Sequence, residues 1–309
     1  MTGIEVRVPA TSANLGCAFD CAALAVNRYL RARVSVSGEA GIEFIYKGVH
    51  PERISSDKPN LLTRAIQRFA DSRGKNLPAL RVDVESEIPV GVGLGSSAAA
   101  IVAGLVLGAK LLNVEIEASE ILSLAAKVEG HPDNTTAAFL GGLTVAFLEE
   151  QSGRVLSAKA QVPTDLRIIG IVPDVPLATR AARAVLPATY SREDVVHNLQ
   201  RTALLTAACF SGSFALEPEL FRDRLHQPYR TRLIPGLESC LDVEHPALLG
   251  VFLSGAGSSV LAFTRERETE IAELLVAGFR RHGISTQTLF LQAENRGVMD
   301  LAREEAEKI

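Results

Sequence analysis

A glycine–serine loop stands directly before the most apolar stretch of the chain. Residues 89–98 read P-V-G-V-G-L-G-S-S-A, and an apolar run continues to residue 112. Glycine adopts positive φ and lets a ligand approach the backbone without a Cβ in the way. Free N–H groups at the start of a following helix attract an anion, and the helix dipole adds to this attraction. We therefore predict that the loop binds phosphate, with the hydroxyls of Ser96 and Ser97 available to phosphate oxygen or Mg²⁺.

Two familiar phosphate-loop patterns do not fit this segment. The pattern G-x-x-x-x-G-K-[ST] requires a lysine, and the loop contains none. The pattern G-x-G-x-x-G is not matched because Gly91, Gly93 and Gly95 alternate along the chain. The alternative explanation for the glycines is close packing of a strand against a helix.

The elements around this loop predict a mixed α+β domain. Strands are expected at 4–8, 30–37, 42–47, 80–86 and 143–150. Helices are expected at 60–73, 96–112 and 117–129, followed by a short helix that Asp133 or Asn134 caps and Gly141–Gly142 ends. Because strands and helices do not alternate strictly, the pattern does not favour a doubly wound sheet.

The second half of the chain has a different element order. Strands are expected at 166–172, 248–253, 259–264 and 286–292, and helices at 267–281 and from the cap Ser191 to about 211. The order β-α-β-β-α-β is that of a ferredoxin-like domain. The chain has 309 residues, enough for two domains, and we place them at 1–158 and 159–309, with the boundary in the polar stretch 151–165.

Charge and hydropathy exclude several classes of protein. The net charge is −4, which argues against a general electrostatic grip on nucleic acid or an anionic membrane. The apolar stretch 97–112 is too short to span a bilayer comfortably, so it predicts a buried helix. Glu5 and Arg7 leave no room for a signal peptide, and we expect a cytoplasmic protein.

The four cysteines show neither zinc-site nor disulfide spacing. They are Cys17, Cys21, Cys209 and Cys240. Zinc ligands need tighter clustering, and a disulfide framework needs an oxidising compartment. We predict that all four are small buried side chains.

Several motifs resemble those of one enzyme superfamily. The pattern P-x-x-x-G-L-x-S-S-A, which this chain fills with Pro89, Gly93, Leu94, Ser96, Ser97 and Ala98, resembles the nucleotide loop of the GHMP small-molecule kinases. Further stretches are similar, in order, to motifs of the homoserine kinase family: VRVPATSANLG at 6–16, EGHPDN at 129–134 with GG at 141–142, TRAARAVLP at 179–187, LHQPYRTRLIPG at 225–236 and LSGAG at 253–257. The resemblance implies phosphorylation of the L-homoserine hydroxyl by ATP and Mg²⁺, on the route to threonine. It also implies a homodimer of two-domain subunits, each with an N-terminal nucleotide-binding domain and a C-terminal ferredoxin-like domain.

The same resemblance implies roles for individual residues. ATP would be bound by Asn60, Pro89, Gly91, Val92, Gly93, Leu94, Gly95, Ser96, Ser97, Ala98, Gly255 and Gly257. The substrate would be bound by Asn14, Asp20, His131, Asp133, Asn134, Arg183 and Arg230, and the metal by Ser97, Glu129 and Thr179. Arg183 and Arg230 match positions for the carboxylate, with Arg232 as a rival to Arg230. Asp20 and Asp133 match positions for the amino group, and Asn14 matches the position for the hydroxyl.

Purely structural roles are an alternative for some of these residues. Asn14 could serve turn chemistry beside Gly16, and Asp133 or Asn60 could cap a helix. Lys127 stands where the family often carries a glutamate, so either Glu129 is the metal ligand or the site is altered.

Other departures from the family pattern concern loops. Cys17-Ala18 replaces a common Pro-Gly, Thr135-Thr136 replaces a common Val-Ala, and Ser258 replaces a common proline. Two alternative functions therefore stay open at this point. One is a GHMP kinase for a mevalonate-type or shikimate-type substrate, which has no amino group for Asp20 and Asp133. The other is a non-catalytic relative that binds ATP or an amino acid.

Overall fold

Two β-sheets organise the part of the chain that the computed structural model describes, residues 3–38, 41–54 and 60–301. The strands of the first sheet are β1 (Ile4–Ala13), β2 (Ala22–Val36), β3 (Ile42–Gly48), β4 (Leu80–Ser86), β5 (Leu143–Leu148) and β6 (Val155–Ala160). They lie in the order β3-β4-β2-β5-β6, and β1 pairs with the opposite edge of β2. All pairs are antiparallel except β3 with β4.

The long strand β2 holds the first sheet together. Its residues 30–36 pair with β4, whereas its residues 22–24 pair with β5. The prediction found only the first of these halves, because residues 22–26 are continuously apolar and buried and so show no alternation. It missed β6 altogether, since most of that strand is exposed and its sequence is weakly apolar.

In the described part of the first half, the helices that accompany this sheet are α1 (Leu61–Ser72), α2 (Ser96–Leu111), α3 (Ala118–Glu129) and α4 (Asp133–Leu140). Helix α2 is buried over most of its length, as its uniformly apolar sequence predicts. Helix α1 packs closely against it, because a Cβ added to Gly104 would lie 2.3 Å from the carbonyl oxygen of Leu62. The buried helix α2 thus fixes the position of the loop that precedes it.

The caps of these helices agree with the sequence in part. The side chain of Asn60 accepts a hydrogen bond from the Thr63 amide and caps α1, and Gly141 ends α4 as expected. The prediction that Asp133 or Asn134 caps α4 was wrong, because the N-cap is Pro132 and Asp133 is the first helical residue. The carboxylate of Asp133 is therefore positioned by the first turn of the helix rather than ahead of it.

The second sheet has the strand order of a ferredoxin-like domain. Its strands are β7 (Arg167–Pro173), β8 (Leu248–Leu253), β9 (Val260–Thr264) and β10 (Thr286–Leu291). They lie antiparallel in the order β10-β7-β9-β8. This arrangement confirms the predicted fold class, an α+β protein with a mixed first sheet and an antiparallel second sheet.

The helices of the second half are α5 (Thr179–Ala184), α6 (Arg192–Phe210), α7 (Gln227–Arg230), α8 (Leu237–Leu241) and α9 (Glu268–Arg280). Turns of 3₁₀ helix lie at Pro218–Phe221 and Thr231–Leu233 in this half and at Pro51–Arg53 in the first. The cap of α6 is confirmed, since the Ser191 hydroxyl accepts from the Asp194 amide. Helices α5, α7 and α8 were not predicted, because four to six residues are too few for a periodic pattern.

The chain passes from one sheet to the other between Ala160 and Arg167, so the first sheet continues two residues past the expected boundary at 158. The division into two domains itself stays a prediction. After β10 the chain returns to the first sheet, where the amide of Glu294 donates to the carbonyl of Ala25.

Two further expectations concern membranes and thiols. Within the described residues, no helix combines the length and the apolar character that crossing a membrane requires. All four cysteines are free thiols; Cys17, Cys209 and Cys240 are buried, and Cys21 is only half-buried.

Candidate active site

The glycine–serine loop connects β4 to the N-terminus of α2 and turns its carbonyls toward the protein. The Leu94 carbonyl accepts from the Thr11 amide at 3.2 Å, and the Gly93 carbonyl accepts from the Ser254 hydroxyl at 2.6 Å. In the part of the chain that the structure describes, no backbone N–H from residue 93 to 98 donates a hydrogen bond to the protein. These amides and the N-terminus of a 16-residue helix are free to bond a ligand, and a helix N-terminus of this kind attracts anions.

The glycines of the loop have two different reasons to be glycine. Gly91, Gly93 and Gly95 all have positive φ. A Cβ on Gly93 would lie 2.2 Å from the Ser254 carbonyl oxygen, and one on Gly95 would lie 2.0 Å from the Thr11 hydroxyl. A Cβ on Gly91 would meet nothing within 4 Å. Close packing therefore explains Gly93 and Gly95, whereas Gly91 faces open space at the cavity.

This difference predicts that two alanine substitutions act mainly on different properties, ATP affinity for Gly91→Ala and stability for Gly93→Ala. Gly91→Ala adds only left-handed backbone strain, so its free energy of unfolding should fall by about 1–2 kcal/mol. Its methyl group enters the cavity, so its affinity for ATP should fall further than its stability suggests. Gly93→Ala drives a methyl group into backbone and should cost on the order of 4 kcal/mol of stability. Denaturant unfolding and nucleotide titration of both variants measure the two effects.

Gly283→Ala is the control for backbone strain, since Gly283 has φ of 71° and open space around its Cα, away from the loop. Equal loss of ATP affinity in Gly91→Ala and Gly283→Ala would contradict the assignment of Gly91 to the site.

Two adjoining cavities open beside the loop. The first, of about 100 Å³, is lined by sixteen of the predicted residues: Asn14, Asp20, Gly91, Gly93, Gly95, Ser96, Ser97, Glu129, His131, Asp133, Asn134, Thr179, Arg183, Arg230, Gly255 and Gly257. The second, of about 480 Å³, is largely apolar and is lined by Asn60 together with side chains such as Phe44, Tyr46 and Leu62. Gly91, Ser96, Ser97 and Thr179 line both cavities.

Four predicted nucleotide residues line neither cavity. Pro89, Val92, Leu94 and Ala98 are buried in the protein. Their side chains pack behind the loop, so what they bring to the site is backbone and shape.

A serine and a glutamate meet at the junction of the two cavities. The Ser97 hydroxyl donates to Oε2 of Glu129 at 2.6 Å, and Glu129 is the last residue of α3. Burial raises the pKa of Glu129, although the Ser97 hydrogen bond opposes this shift. Lys127, two residues earlier, is exposed. The hard oxygen donors of Ser97, Glu129 and Thr179 are of the type that Mg²⁺ prefers, so these residues fit the ion.

A histidine–aspartate pair lies at the start of α4. His131 Nδ1 and Asp133 Oδ1 are 2.5 Å apart, and Asp133 is 1% exposed. Burial lowers the pKa of His131, but the hydrogen bond and charge of Asp133 outweigh it and place the pKa above its usual value. Asn134 is held by the Thr11 hydroxyl, which donates to its Oδ1 at 2.8 Å.

An ion pair joins the two halves of the chain across the cavity. Both terminal nitrogens of Arg183 bond the carboxylate of Asp20, at 2.9 and 2.8 Å. Asp20 also comes close to His131 and Asp133, and one ligand atom of each lies within 4.8 Å of the others. Asp20, predicted to bind the amino group of the substrate, and Arg183, predicted to bind its carboxylate, therefore bond each other in this structure.

The second arginine is buried beneath the cavity. Arg230 is 1% exposed, and its Nη1 donates to the Gly255 carbonyl at 2.9 Å. Burial, with a contribution from Arg183, lowers the pKa of Arg230 to about 10, so it stays charged at neutral pH. Arg232 is exposed and does not line the cavity. Between the rival arginines, the structure brings Arg230 to the cavity.

Asn14 lies in the turn that follows β1. Its backbone has φ of 74°, and its side chain is 3% exposed. Its Oδ1 accepts from the Asp20 amide at 3.0 Å, and its Nδ2 donates to the Gly255 carbonyl at 2.8 Å. The turn role and the site role of Asn14 therefore coexist, because the same amide fixes the turn and lines the cavity.

Sequence reasoning missed several residues that shape the site. The Thr11 amide and the Ser254 hydroxyl bond the loop from its protein side, and Leu177 lines both cavities. Thr11 and Ser254 are polar residues that lie inside stretches already singled out by motif. Their place in those stretches was the available signal. Leu177 carried no signal, since only the fold brings it there.

One part of the chain matches the model of a known protein family. Residues 60–142, which contain α1, the loop, α2, α3 and α4, match the family model "GHMP kinases N terminal domain". This match and the two-sheet fold point to the class of GHMP kinases, and relatives matched along most of the chain establish it.

Comparison over the full length gives the family. A homoserine kinase from Solibacter usitatus is 39% identical over 293 residues, 95% of each chain. One from Deinococcus radiodurans is 41% identical over 85% of this chain and 84% of its own. The crystal structure of homoserine kinase from Cytophaga hutchinsonii superposes with a TM-score of 0.82 at 26% identity and covers 96% of each chain. The chain belongs to the homoserine kinase family.

Proposed function

We propose that the protein transfers the γ-phosphate of ATP to the side-chain hydroxyl of L-homoserine, giving O-phospho-L-homoserine and ADP for threonine biosynthesis. One observation carries this proposal: a cavity lined by unbonded loop amides, three carboxylates and two guanidinium groups. A phosphate donor and a small zwitterion are the ligands that such a set of groups suits.

The opposite charges assign the two ends of the substrate. Arg230 and Arg183 are the groups for the carboxylate, because guanidinium matches a planar carboxylate. Asp133 and Asp20 are the groups for the ammonium. When a zwitterion binds, its ammonium group pairs with Asp20 and its carboxylate pairs with Arg183. Each member of the ion pair therefore has a counter-ion both with and without the ligand. Asn134 lines the same cavity.

The reaction needs positioning more than a strong base. Phosphoryl transfer passes through a loose transition state, so alignment and neutralisation of charge supply most of the acceleration. Asn14 and His131 align the attacking hydroxyl, and the amides of residues 93–97 stabilise charge on the transferred group. Ser97, Glu129 and Thr179 would hold Mg²⁺, which when bound neutralises phosphate charge.

The larger cavity suits the base of the nucleotide. It is lined mainly by apolar side chains, and it joins the phosphate-facing loop at Gly91 and Ser96. Asn60 lines it while capping α1, so its side-chain oxygen is engaged and its Nδ2 is the group left for a ligand.

A coupled ADP-release assay tests the proposal. With ATP and Mg²⁺, we expect turnover on L-homoserine and at most trace turnover on mevalonate or shikimate, because neither has an ammonium group for Asp20 and Asp133. Preference for mevalonate or shikimate would overturn the substrate. Tight binding of L-homoserine without ADP release would indicate a non-catalytic relative.

The burial of Glu129 predicts an acid limit for turnover. The carboxylate serves the site in its ionised form, and burial raises its pKa above the usual value of 4.5. Because the ionised form exists above that pKa, kcat/KM for ATP should fall as the pH drops through it, by about tenfold per pH unit. A profile of kcat/KM for ATP against pH measures this limit, because it reports the free enzyme, in which no metal ion lowers the pKa of Glu129. A profile that stays flat down to the usual pKa of glutamate would contradict it.

We also propose a cytoplasmic homodimer. Free thiols throughout suit a reducing compartment. Helix α6 exposes a set of apolar side chains that a second subunit could cover: Val195, Val196, Leu199, Leu204 and Phe210. Light scattering of the purified protein tests the dimer, and a monomeric mass at micromolar concentration would overturn it.

A further inference from the structure

His226 lies beneath Arg230 and is fully buried. Its Nδ1 is 3.1 Å from Nη1 of Arg230, and its Nε2 is 2.7 Å from the carbonyl oxygen of Gly16. A guanidinium group can only donate, so Nδ1 must be the acceptor. The ring proton therefore lies on Nε2, which donates to the Gly16 carbonyl. Both contacts are satisfied only by this neutral tautomer.

The surroundings hold the ring in place. Oδ2 of Asp223 accepts the amides of His226 and Gln227 at 2.9 and 2.6 Å, and its Oδ1 accepts from Asn198 at 2.7 Å. The ring of Phe19 stacks on the imidazole at 5.0 Å between centroids, with 23° between planes. The imidazole thus has a fixed backbone and a covered face.

Arg230 has one free edge. Its Nη1 uses both hydrogens, one to His226 and one to the Gly255 carbonyl, and its Nε donates to the Ala182 carbonyl at 3.2 Å. Among the described residues, no acceptor bonds Nη2, and Arg230 lines the smaller cavity. The contacts on Nη1 and Nε therefore determine where Nη2 points.

The other contact of His226 reaches the turn that carries Asn14. Gly16 has φ of 72°, and a Cβ there would lie 2.1 Å from the Phe221 carbonyl oxygen, so this turn has little room to move. One imidazole therefore links the turn of the hydroxyl-side residue Asn14 with the arginine assigned to the carboxylate.

We propose that His226 is a positioning residue: its neutral imidazole aims Nη2 of Arg230 at the substrate carboxylate and fixes the Gly16 turn. The assignment of the carboxylate to Arg230 rests on the function proposed above. Burial lowers the pKa of His226 and the charge of Arg230 lowers it further, which favours the neutral ring, although Asp223 and Asp20 oppose this shift.

Two isosteric variants separate the contacts of the ring. Glutamine reproduces the Nε2 donor and loses the acceptor at Nδ1, whereas asparagine keeps an acceptor near Nδ1. We expect His226→Gln to raise KM for L-homoserine about tenfold, with KM for ATP unchanged and kcat within about twofold, because an oriented, charge-assisted hydrogen bond is lost. His226→Asn should have a KM for L-homoserine close to that of the wild type.

An inhibitor that resembles the substrate but has no carboxylate provides the control. 3-Amino-1-propanol has the hydroxyl and the ammonium of homoserine at the same spacing. Its inhibition constant should be the same in wild type and His226→Gln, since Arg230 has no carboxylate to hold. Equal loss for both ligands, or a KM for L-homoserine that does not change, would overturn the positioning role.

A spectroscopic test on the full-length protein does not depend on turnover. In ¹⁵N spectra of the histidine rings, His226 should show a protonated Nε2 and an unprotonated Nδ1. The Nδ1 resonance should move in Arg230→Lys and stay in Arg232→Lys, the matched control at an exposed position. A ring protonated at Nδ1 would overturn the inference even if the enzyme phosphorylates L-homoserine. An enzyme inactive on L-homoserine with the expected spectrum would overturn the proposed function alone.

Discussion

Replacing Glu129 by glutamine is expected to lower kcat by about 10²–10³-fold, comparable to removing one electrostatic group from a preorganised site. The side chain keeps its size, so the fold and the Ser97 contact should persist, while the negative charge at the junction of the two cavities is lost. The variant should also need more Mg²⁺ for half-maximal turnover. Steady-state kinetics at several Mg²⁺ concentrations measure both effects.

Lys127→Gln is the matched control for this variant. Lys127 lies two residues earlier on α3 and is exposed, so its removal should leave kcat and the Mg²⁺ requirement unchanged. The two variants also decide the question that Lys127 raised in the sequence. If Lys127→Gln were impaired and Glu129→Gln were active, Glu129 would not be the carboxylate of the site.

The second large effect is expected from Asn14→Ala, which should lower kcat by about 10²-fold with little change in affinity for ATP. Its amide bonds both the Asp20 backbone and the Gly255 carbonyl, so alanine loosens the turn on the hydroxyl side of the cavity. A small displacement of a positioning group costs rates of this order. Nucleotide titration and single-turnover kinetics separate binding from transfer.

Asn113→Ala provides the control for backbone strain. Asn113 also has positive φ, 51°, but it is exposed at the end of α2, away from the cavity. Both alanine variants therefore carry a left-handed residue, and only one alters the site. Near-normal kcat in Asn14→Ala would remove Asn14 from the mechanism.

Local sequence signals predicted the elements that carry the phosphate-facing loop. The alternation in β4 and the uninterrupted apolar run of α2 each reflect the faces that these elements bury, so each could be read without a partner. Local signals also predicted the ferredoxin-like half. Strands β7, β8 and β9 are apolar runs and α9 is amphipathic, whereas α6 was predicted from the capping residue Ser191.

The contacts between distant segments could not be predicted this way. The bidentate bond of Arg183 to Asp20 joins residues 163 positions apart, and no local pattern encodes it. The contact of His226 with Arg230 spans one helical turn, so the spacing alone permits it, but the burial that makes it an acceptor comes from the fold. The glycine loop gives a further example. Gly93 packs against Ser254 and Gly91 faces open space, but the sequence around the two glycines does not distinguish these environments.

The Gly255 carbonyl accepts from Asn14 and from Arg230 at once. A single oxygen atom thus fixes the positions of the two groups that we propose to bind opposite ends of the substrate. The distance between Asn14 and Arg230 is therefore fixed, so the pocket should select substrates by length. Serine, one methylene shorter than homoserine, should contact one of these two groups and not reach the other.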